Sequence, residues 1–324
     1  MSGIAIQAAG VNCPAGDNLQ SVAAALRMGE RFIAQDRGMI GVDGFPVVMG
    51  AVMPPEKMRD YHHRIYMLFE TAFVDCMAQL AARDIRMRAP LVLQLPEMVG
   101  GSESEAWFRR EIEDRLAPRV SEVRFVYGEA AEALALLQAR APDTLHYVAA
   151  VDSLIDARLI DWMIVQQRLF SSTNPWGTIP GEGAAVLAVG PGGDPMAWLP
   201  GITRQTETEK PEDTDRGILG RALAAVMRDA LDGQPAPARL LVDLNGSRDG
   251  TEEFGLAVAS AGPAVAGLAD RVETLMEQIG YPGAATGLIL AALACQGERP
   301  ALVAARSASG LRVGALFRAT EDPA

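Results

Sequence analysis

The side chains that could act as nucleophiles are few and widely separated in this sequence. The three cysteines lack the C-x-x-C spacing of a zinc or redox site. They stand in apolar surroundings, where a thiol usually behaves as a small buried hydrophobe. These residues are Cys13, Cys76 and Cys295. We therefore expect a reducing compartment, no disulfide and no cysteine nucleophile.

Histidines and serines offer no better site. His62 and His63 follow a polar run and are predicted to lie on a solvated face just before a helix. Ser171 and Ser172 have no histidine or aspartate near them in the sequence to activate a hydroxyl. No second ligand cluster occurs at metal spacing, so we expect neither a metal nor another cofactor.

Charge and hydropathy narrow the classes of partner. The 324 residues carry a formal net charge of −12 at pH 7, and such an acidic surface repels nucleic acid. Gly, Pro or charged residues interrupt the longest apolar stretches well short of a membrane span. The N-terminus has no basic start before its apolar run, unlike a signal peptide. We expect a cytoplasmic protein that binds neither nucleic acid nor membrane.

Buried strands and helices alternate along the chain, which predicts an α/β fold with a mostly parallel sheet. Short apolar runs closed by Gly or Pro predict strands at 4–9, 47–52, 91–95, 123–127, 145–151, 184–189, 198–202 and 240–244, with two more near the C-terminus. Helical periodicity predicts helices at 19–28, 64–83, 103–116, 130–139 and 218–231. An acidic loop is predicted at 207–215.

A Gly- and Pro-rich linker, Gly190–Pro195, is the best internal boundary. The segments on its two sides follow the same order of elements. We therefore predict an N-terminal half at 1–190 and a C-terminal half at 191–324, which together form one duplicated core.

Three segments resemble the β-ketoacyl-ACP synthases in order and spacing. Residues 150–156 and 170–185 read AVDSLID and FSSTNPWGTIPGEGAA, similar to that family's G-V-D-S and N-x-x-G-x-I-P-G-E motifs. Residues 4–16 resemble its opening strand and turn, and residues 283–294 resemble its G-A-A-x-G helix. The resemblance implies a duplicated thiolase-like α/β/α/β/α sandwich, usually homodimeric.

The conserved turns of that family match residues expected here to be structural. Glu182, in particular, is expected to satisfy buried backbone groups rather than to take part in catalysis. The matching positions are Asp152, Ser153, Asn174, Gly177, Pro180, Gly181 and Glu182.

The catalytic positions of the family do not keep their chemistry. The nucleophilic cysteine stands on a strand-to-helix elbow, which reads Tyr-Gly-Glu here and places Gly128 or a neighbour at that position. The two catalytic histidines match Asn245 and Gly280, and a nearby lysine matches Leu275. A glycine-rich turn near the C-terminus is replaced by residues 307–310, Ser-Ala-Ser-Gly. Losing the nucleophile and both histidines together predicts that condensation is abolished.

Three functions compete on this basis. The first is an inactive synthase-like adaptor or scaffold, because shortened relatives of this kind tend to be encoded beside type VI secretion genes; its partner would be a secreted effector or an accessory protein. The second is a non-catalytic subunit of a β-ketoacyl or polyketide synthase heterodimer, with a synthase or an acyl carrier protein as partner. The third is a residual enzyme acting on acyl-ACP or acyl-CoA.

Overall fold

The computed structural model describes residues 3–54, 57, 60–138, 144–191, 194–208 and 219–319. Within these ranges the strands are β1 Ile4–Asn12, β2 Ala34–Ile40, β3 Pro46–Met49, β4 Ala89–Leu95, β5 Val120–Tyr127, β6 His146–Ser153, β7 Glu182–Val189, β8 Ala197–Thr206, β9 Arg239–Val242, β10 Val272–Glu273, β11 Ala301–Arg306 and β12 Leu311–Ala319. The helices are α1 Leu19–Arg27, α2 Tyr61–Ala82, α3 Ser102–Leu116, α4 Ala130–Ala135, α5 Ala157–Val165, α6 Arg221–Asp229, α7 Arg248–Ser260, α8 Pro263–Ala266, α9 Met276–Ile279 and α10 Thr286–Ala294.

Ten of the described strands form one sheet in the order β10-β9-β11-β12-β8-β1-β7-β6-β4-β5. If the five sheet strands of each half are numbered along the chain, both halves have the order third, second, fourth, fifth, first. In each half the fifth strand, β7 or β12, is antiparallel to its neighbours, and the other pairs within the half are parallel. The sheet is therefore mixed, and the prediction of a mostly parallel sheet was wrong. The repeated order shows that the fold is duplicated, as the resemblance implied.

The two halves are joined by their first strands. β1 pairs with β8 antiparallel through Ile4–Leu199, Ala5–Trp198 and Ile6–Ala197, while Ile6 and residues 8–12 of β1 pair with β7 on its other side. The predicted boundary at 190/191 falls in the connection between β7 and β8. Its use as a division between two halves remains a prediction.

Helices form the other layers of the α/β/α/β/α sandwich. α2 packs on β1, β7 and β6, while α6 packs on β12, β8 and β11. The short helix α4 and the apolar helix α10 lie between the halves and pack against each other. Every residue of α10 is buried, which explains why its sequence is apolar all round.

α2 is long and apolar enough to cross a membrane by length and composition alone. Its apolar residues, however, form a core cluster with the strands on which it packs. Phe69 and Phe73 are fully buried there. In this structure α2 therefore serves as a core helix, and its apolar character is explained by packing.

Several predicted boundaries were wrong. α2 begins at Tyr61 because the Asp60 carboxylate accepts the backbone N–H of His63, so His62 and His63 lie inside the helix and not before it. α4 ends at Ala135 and continues as a 3₁₀ turn. The strand predicted at 47–52 is present as β3, which ends at Met49. Its partner β2 was missed, because β2 is mostly exposed and lacks an apolar alternation. Most of the predicted acidic loop, 209–215, lies outside the described residues.

The contact between α4 and α10 generates the first prediction. A Cβ on Gly287 would stand 2.0 Å from the backbone oxygen of Ala130. Gly287→Ala should therefore push the two helices apart and lower the free energy of unfolding by about 3 kcal/mol. Urea denaturation followed by circular dichroism measures this change.

Gly255→Ala is the matched control. Gly255 lies in α7, and no atom lies within 4 Å of a Cβ built there. Replacing a helical glycine at an open position should stabilise the protein by about 0.5–1 kcal/mol. If the two variants unfolded at the same urea concentration, close helix packing would not be the constraint that Gly287 satisfies.

Candidate functional site

The elbow between β5 and α4 lies where the sequence placed it. β5 ends at Tyr127, Gly128 has a φ of +151°, and α4 begins at Ala130. A Cβ on Gly128 would stand 2.7 Å from the Cβ of Glu132, so a side chain there would meet this neighbour. That Gly128 stands for the lost cysteine remains a prediction from the sequence match.

A carboxylate occupies the elbow. Glu129 directly precedes α4, and its Oε2 accepts the backbone N–H of Ala308 at 2.7 Å. Partial desolvation raises the pKa of the Glu129 carboxyl, and the bond from Ala308 acts in the opposite direction. Glu132 Oε2 accepts the Glu129 N–H at 3.0 Å. Glu129 and Glu132 were not predicted as site residues. Their spacing, E-x-x-E before an apolar helix, is the signal in the sequence that could have indicated this helix start.

Asn245, which is predicted from the sequence to match the family's first catalytic histidine, lies in the loop that follows β9. Its Oδ1 accepts both the N–H and the hydroxyl of Ser247, at 3.1 and 2.8 Å. Its backbone oxygen accepts the Thr178 hydroxyl at 2.7 Å. These bonds fix a loop and a helix start, which is a structural use of the side chain.

Gly280, which is predicted from the sequence to match the second histidine, forms part of a close backbone contact. It has a φ of +73°, and a Cβ there would stand 2.4 Å from the oxygen of Pro180. Gly181 packs against it in return, and its N–H donates to the oxygen of Tyr281 at 3.1 Å. A histidine could not stand at this position without moving the loop. Leu275, which is predicted from the sequence to match the family lysine, is a core residue with 3% exposure.

Asp152 connects the end of β6 to the segment before α10. Its Oδ1 accepts the N–H of Ser153 at 2.7 Å, and its Oδ2 accepts the N–H of Ala284 at 2.8 Å. Gly283 is required between them, because a Cβ there would lie 2.0 Å from the carboxylate. Burial raises the pKa of Asp152 to about 6, although these two backbone bonds partly oppose the effect.

Glu182 satisfies a backbone group, as expected, and also a buried cation. Its Oε1 accepts the N–H of Val52 at 2.7 Å, and Oε2 accepts the hydroxyl of Ser153 at 2.8 Å. Both oxygens also accept from the guanidinium of Arg64, and both side chains are almost fully buried. The arginine partner was missed because it lies 118 residues away in the chain.

The remaining motif residues hold the loop that precedes β7. Asn174 donates from Nδ2 to the oxygens of Gln167 and Leu169 at 2.8 and 3.0 Å. Gly177 lies so close to Phe170 that a Cβ would stand 2.2 Å from its nitrogen. These contacts give the motif a structural role in this chain.

Further polar groups from both halves surround the elbow. Tyr281 has its pKa raised by burial and then by the carboxylates of Asp243 and Glu129. Asp243 itself accepts the backbone N–H of Arg306 at 2.9 Å. Gln94 is fully buried at the end of β4 and donates to the Glu129 backbone oxygen at 3.0 Å. These residues could not be predicted as neighbours, because Gln94, Glu129, Asp243, Tyr281 and Arg306 come from five separate segments of the chain.

The elbow carries no cysteine, since it reads Tyr127-Gly128-Glu129. All three cysteines are buried, and burial raises each thiol pKa, that of Cys13 to about 12. They are therefore protonated at neutral pH and unreactive. The elbow carries the hydrogen-bonded carboxylate of Glu129. Within the described ranges, no group of three or more His, Cys, Asp or Glu side chains could hold a metal ion.

Asp152 generates a prediction about pH. A carboxyl that holds its proton more tightly in the folded state than its usual pKa of about 4 stabilises the fold below pH 4. That contribution, at most about 3 kcal/mol, is lost as the pH rises through about 6. Asp152→Asn should flatten the pH dependence of unfolding between pH 4 and 6. Urea titrations at several pH values measure the free energy of unfolding, and the exposed substitution Asp229→Asn is the control. If Asp152→Asn and wild type had the same pH dependence of unfolding, the raised pKa of Asp152 would be contradicted.

The Arg64–Glu182 pair generates a second prediction. Arg64→Met leaves a buried carboxylate without its cation and should lower the free energy of unfolding by about 3–5 kcal/mol. The control is Arg248→Met, because Arg248 forms an exposed pair with Glu252 at 2.7 Å. Such a pair contributes at most about 0.5 kcal/mol. Thermal unfolding of both variants and of wild type measures the difference. We expect a large fall in the melting temperature for Arg64→Met and almost none for Arg248→Met, and equal falls would contradict the prediction.

Solved structures that are similar to this chain include ketosynthases and their complexes. No protein-family model and no curated protein matches the sequence. The ishigamide ketosynthase/chain length factor has a TM-score of 0.69 and 18% identity over 98% of this chain and 99% of its own. The AntDE:AntF complex, a type II ketosynthase with its acyl-carrier protein, has a TM-score of 0.78 and 13% identity over 98% and 99%. The ketosynthase ApeO in complex with the chain length factor ApeC from Xenorhabdus doucetiae has a TM-score of 0.70 and 14% identity over 98% of each chain. The fold of this chain is therefore that of the thiolase-like ketosynthases.

Proposed function

We propose that this chain is a non-catalytic, ketosynthase-like subunit that assembles with a synthase. The observation that carries the proposal is the elbow, where Glu129 is hydrogen-bonded to Ala308 and no thiol is present. The complete sandwich is kept around this elbow. A chain that keeps the whole fold without the nucleophile fits an assembling role better than a condensing one.

The similar structures support this kind of partner. Two of them pair a ketosynthase with a chain length factor, and a third holds an acyl-carrier protein. The secretion-adaptor hypothesis draws support neither from these structures nor from any contact of the described residues. It remains a prediction, as do the cytoplasmic location and the homodimer.

β5 offers a surface for assembly. It pairs with β4 on one side, and its other edge pairs with no strand in the described part of the chain. Its last three residues, Phe125, Val126 and Tyr127, are only half-buried. An open edge with apolar side chains readily adds a strand from another chain. We place the synthase contact at this edge.

Purification from the source cells at native expression, followed by mass spectrometry, tests the partner. We expect a ketosynthase that carries its own nucleophilic cysteine, in equal amount with this chain. Light scattering of the two purified proteins should then give a one-to-one complex, and condensation by the synthase should depend on that complex. Recovery of a secreted effector without a synthase would refute the proposal, as would a purified pair that does not associate.

The edge contact is tested by Val126→Lys. A lysine at the half-buried Val126 places a charge in the proposed interface and should weaken assembly at least about tenfold. Val74→Lys is the control, because Val74 is a 57% exposed residue on α2. Analytical ultracentrifugation measures both dissociation constants. If both variants assembled like wild type, the contact would lie elsewhere even if a synthase binds.

A further inference from the structure

Gln94 carries a buried hydrogen-bond acceptor at the elbow. The side chain is fully buried, and its Nε2 donates to the Glu129 backbone oxygen at 3.0 Å. Because that partner is a carbonyl oxygen, Nε2 is the donor end of the amide, and the other end is an acceptor. This acceptor, Oε1, has no donor among the residues that the structure describes. Buried polar atoms in native folds are nearly always paired, so Oε1 indicates a donor supplied from outside the chain.

Two carboxylates beside this acceptor lack a positive partner. Glu129 and Asp152 accept backbone N–H groups, but neither forms an ion pair with any residue in the described part of the chain. Arg306 is used elsewhere, because it pairs with Asp243 and Glu253 at 3.4 Å each. Burial and then the nearby Glu129 carboxylate raise the pKa of Asp152, so the two negative charges act on each other. The elbow therefore holds two carboxylates without a cation from the described residues.

Tyr281 adds a hydroxyl to the same cluster. Burial raises the pKa of Tyr281, and the carboxylates of Asp243, Glu129 and Asp152 raise it further, so all three act on this hydroxyl. The hydroxyl forms no hydrogen bond with another described residue. Tyr281 is only half-buried and Glu129 is exposed, whereas Gln94 and Asp152 are buried. The cluster is therefore open to solvent on one side and closed on the other.

We propose that Gln94, Glu129, Asp152 and Tyr281 form a binding site for a small primary amine in its ammonium form. An ammonium group has three N–H donors, one positive charge and no acceptor. It supplies the donor that Gln94 Oε1 lacks and the charge that the two carboxylates lack, and charge-assisted bonds of this kind are strong. We call this set the amine site.

Other ligand classes fit the amine site less well. A phosphate or a carboxylate would be repelled by Glu129 and Asp152, and an apolar ligand would leave Gln94 Oε1 unpaired. A metal ion is disfavoured because no group of three or more His, Cys, Asp or Glu side chains in the described ranges could hold one. The inference goes beyond assembly with a synthase and does not depend on it.

Isothermal titration calorimetry of the purified chain at neutral pH tests the ligand class. The probe is ethylammonium chloride, and its control is tetramethylammonium chloride, which has the same charge but no N–H donor. We expect ethylammonium to bind with a dissociation constant below about 10 mM. Tetramethylammonium should bind at least about tenfold more weakly. Equal binding of the two cations would overturn the proposal, because charge alone would then explain it. A weaker ethylammonium constant than about 10 mM would also overturn it and would leave water as the partner of Gln94.

Variants of the charged group locate the site. Glu129→Gln removes one negative charge but keeps an oxygen that can accept the Ala308 N–H, and it should weaken ethylammonium binding at least about tenfold. The matched control is Glu252→Gln, which makes the same change of charge in the exposed pair with Arg248. It should bind ethylammonium like wild type. An equal loss of binding in both variants would overturn the proposal, because it would show a response to net charge only.

Variants of the neutral groups test the hydrogen bonds. Gln94→Met removes the unpaired acceptor and should weaken ethylammonium binding about tenfold, while Tyr281→Phe removes only a hydroxyl and should weaken it about threefold. Thermal unfolding shows whether each variant is folded. If Gln94→Met does not fold, Tyr281→Phe and Glu129→Gln decide the outcome. Wild-type binding in every folded variant of the amine site would overturn the proposal.

Discussion

The close approach of α4 and α10 is the constraint on which the rest of the structure depends. Gly287 lets the backbones of the two helices meet, because any side chain there would strike the oxygen of Ala130. This contact fixes the distance between the two halves, because packed helices cannot move without opening a void. It thereby places the elbow of one half within hydrogen-bonding distance of the turns of the other. Two hydrogen bonds, Glu129–Ala308 and Asp152–Ala284, cross between the halves on either side of this contact.

These two bonds have related positions in the duplicated fold. The fourth sheet strand of the N-terminal half ends at Asp152 and Ser153, and Asp152 reaches the segment before α10. The fourth sheet strand of the C-terminal half leads to Ala308, which reaches the start of α4. In one case the strand end supplies the acceptor, and in the other it supplies the donor. The duplication thus keeps a reciprocal contact while its chemistry differs.

Much of the fold could be predicted because its signals are local. The fully buried strand β7 is an unbroken apolar run after Glu182, and such runs are visible in a sequence. The elbow was found because a strand and an Ala-rich helix flank Gly128. The contacts around the elbow could not be found, since Glu132 and Ser307 lie 175 residues apart. No local pattern of charge or hydropathy encodes a hydrogen bond over that distance.

The pairing of β1 with both β7 and β8 has a consequence for how the chain folds. β1 precedes both of its partners in the chain by more than 160 residues, because β7 begins at Glu182 and β8 at Ala197. Both edges of this buried strand therefore stay open until those later segments are made. Contacts of such long sequence separation form slowly because a large loop must close. During synthesis the apolar residues of β1 therefore depend on temporary cover, by α2 or by a chaperone, to avoid aggregation.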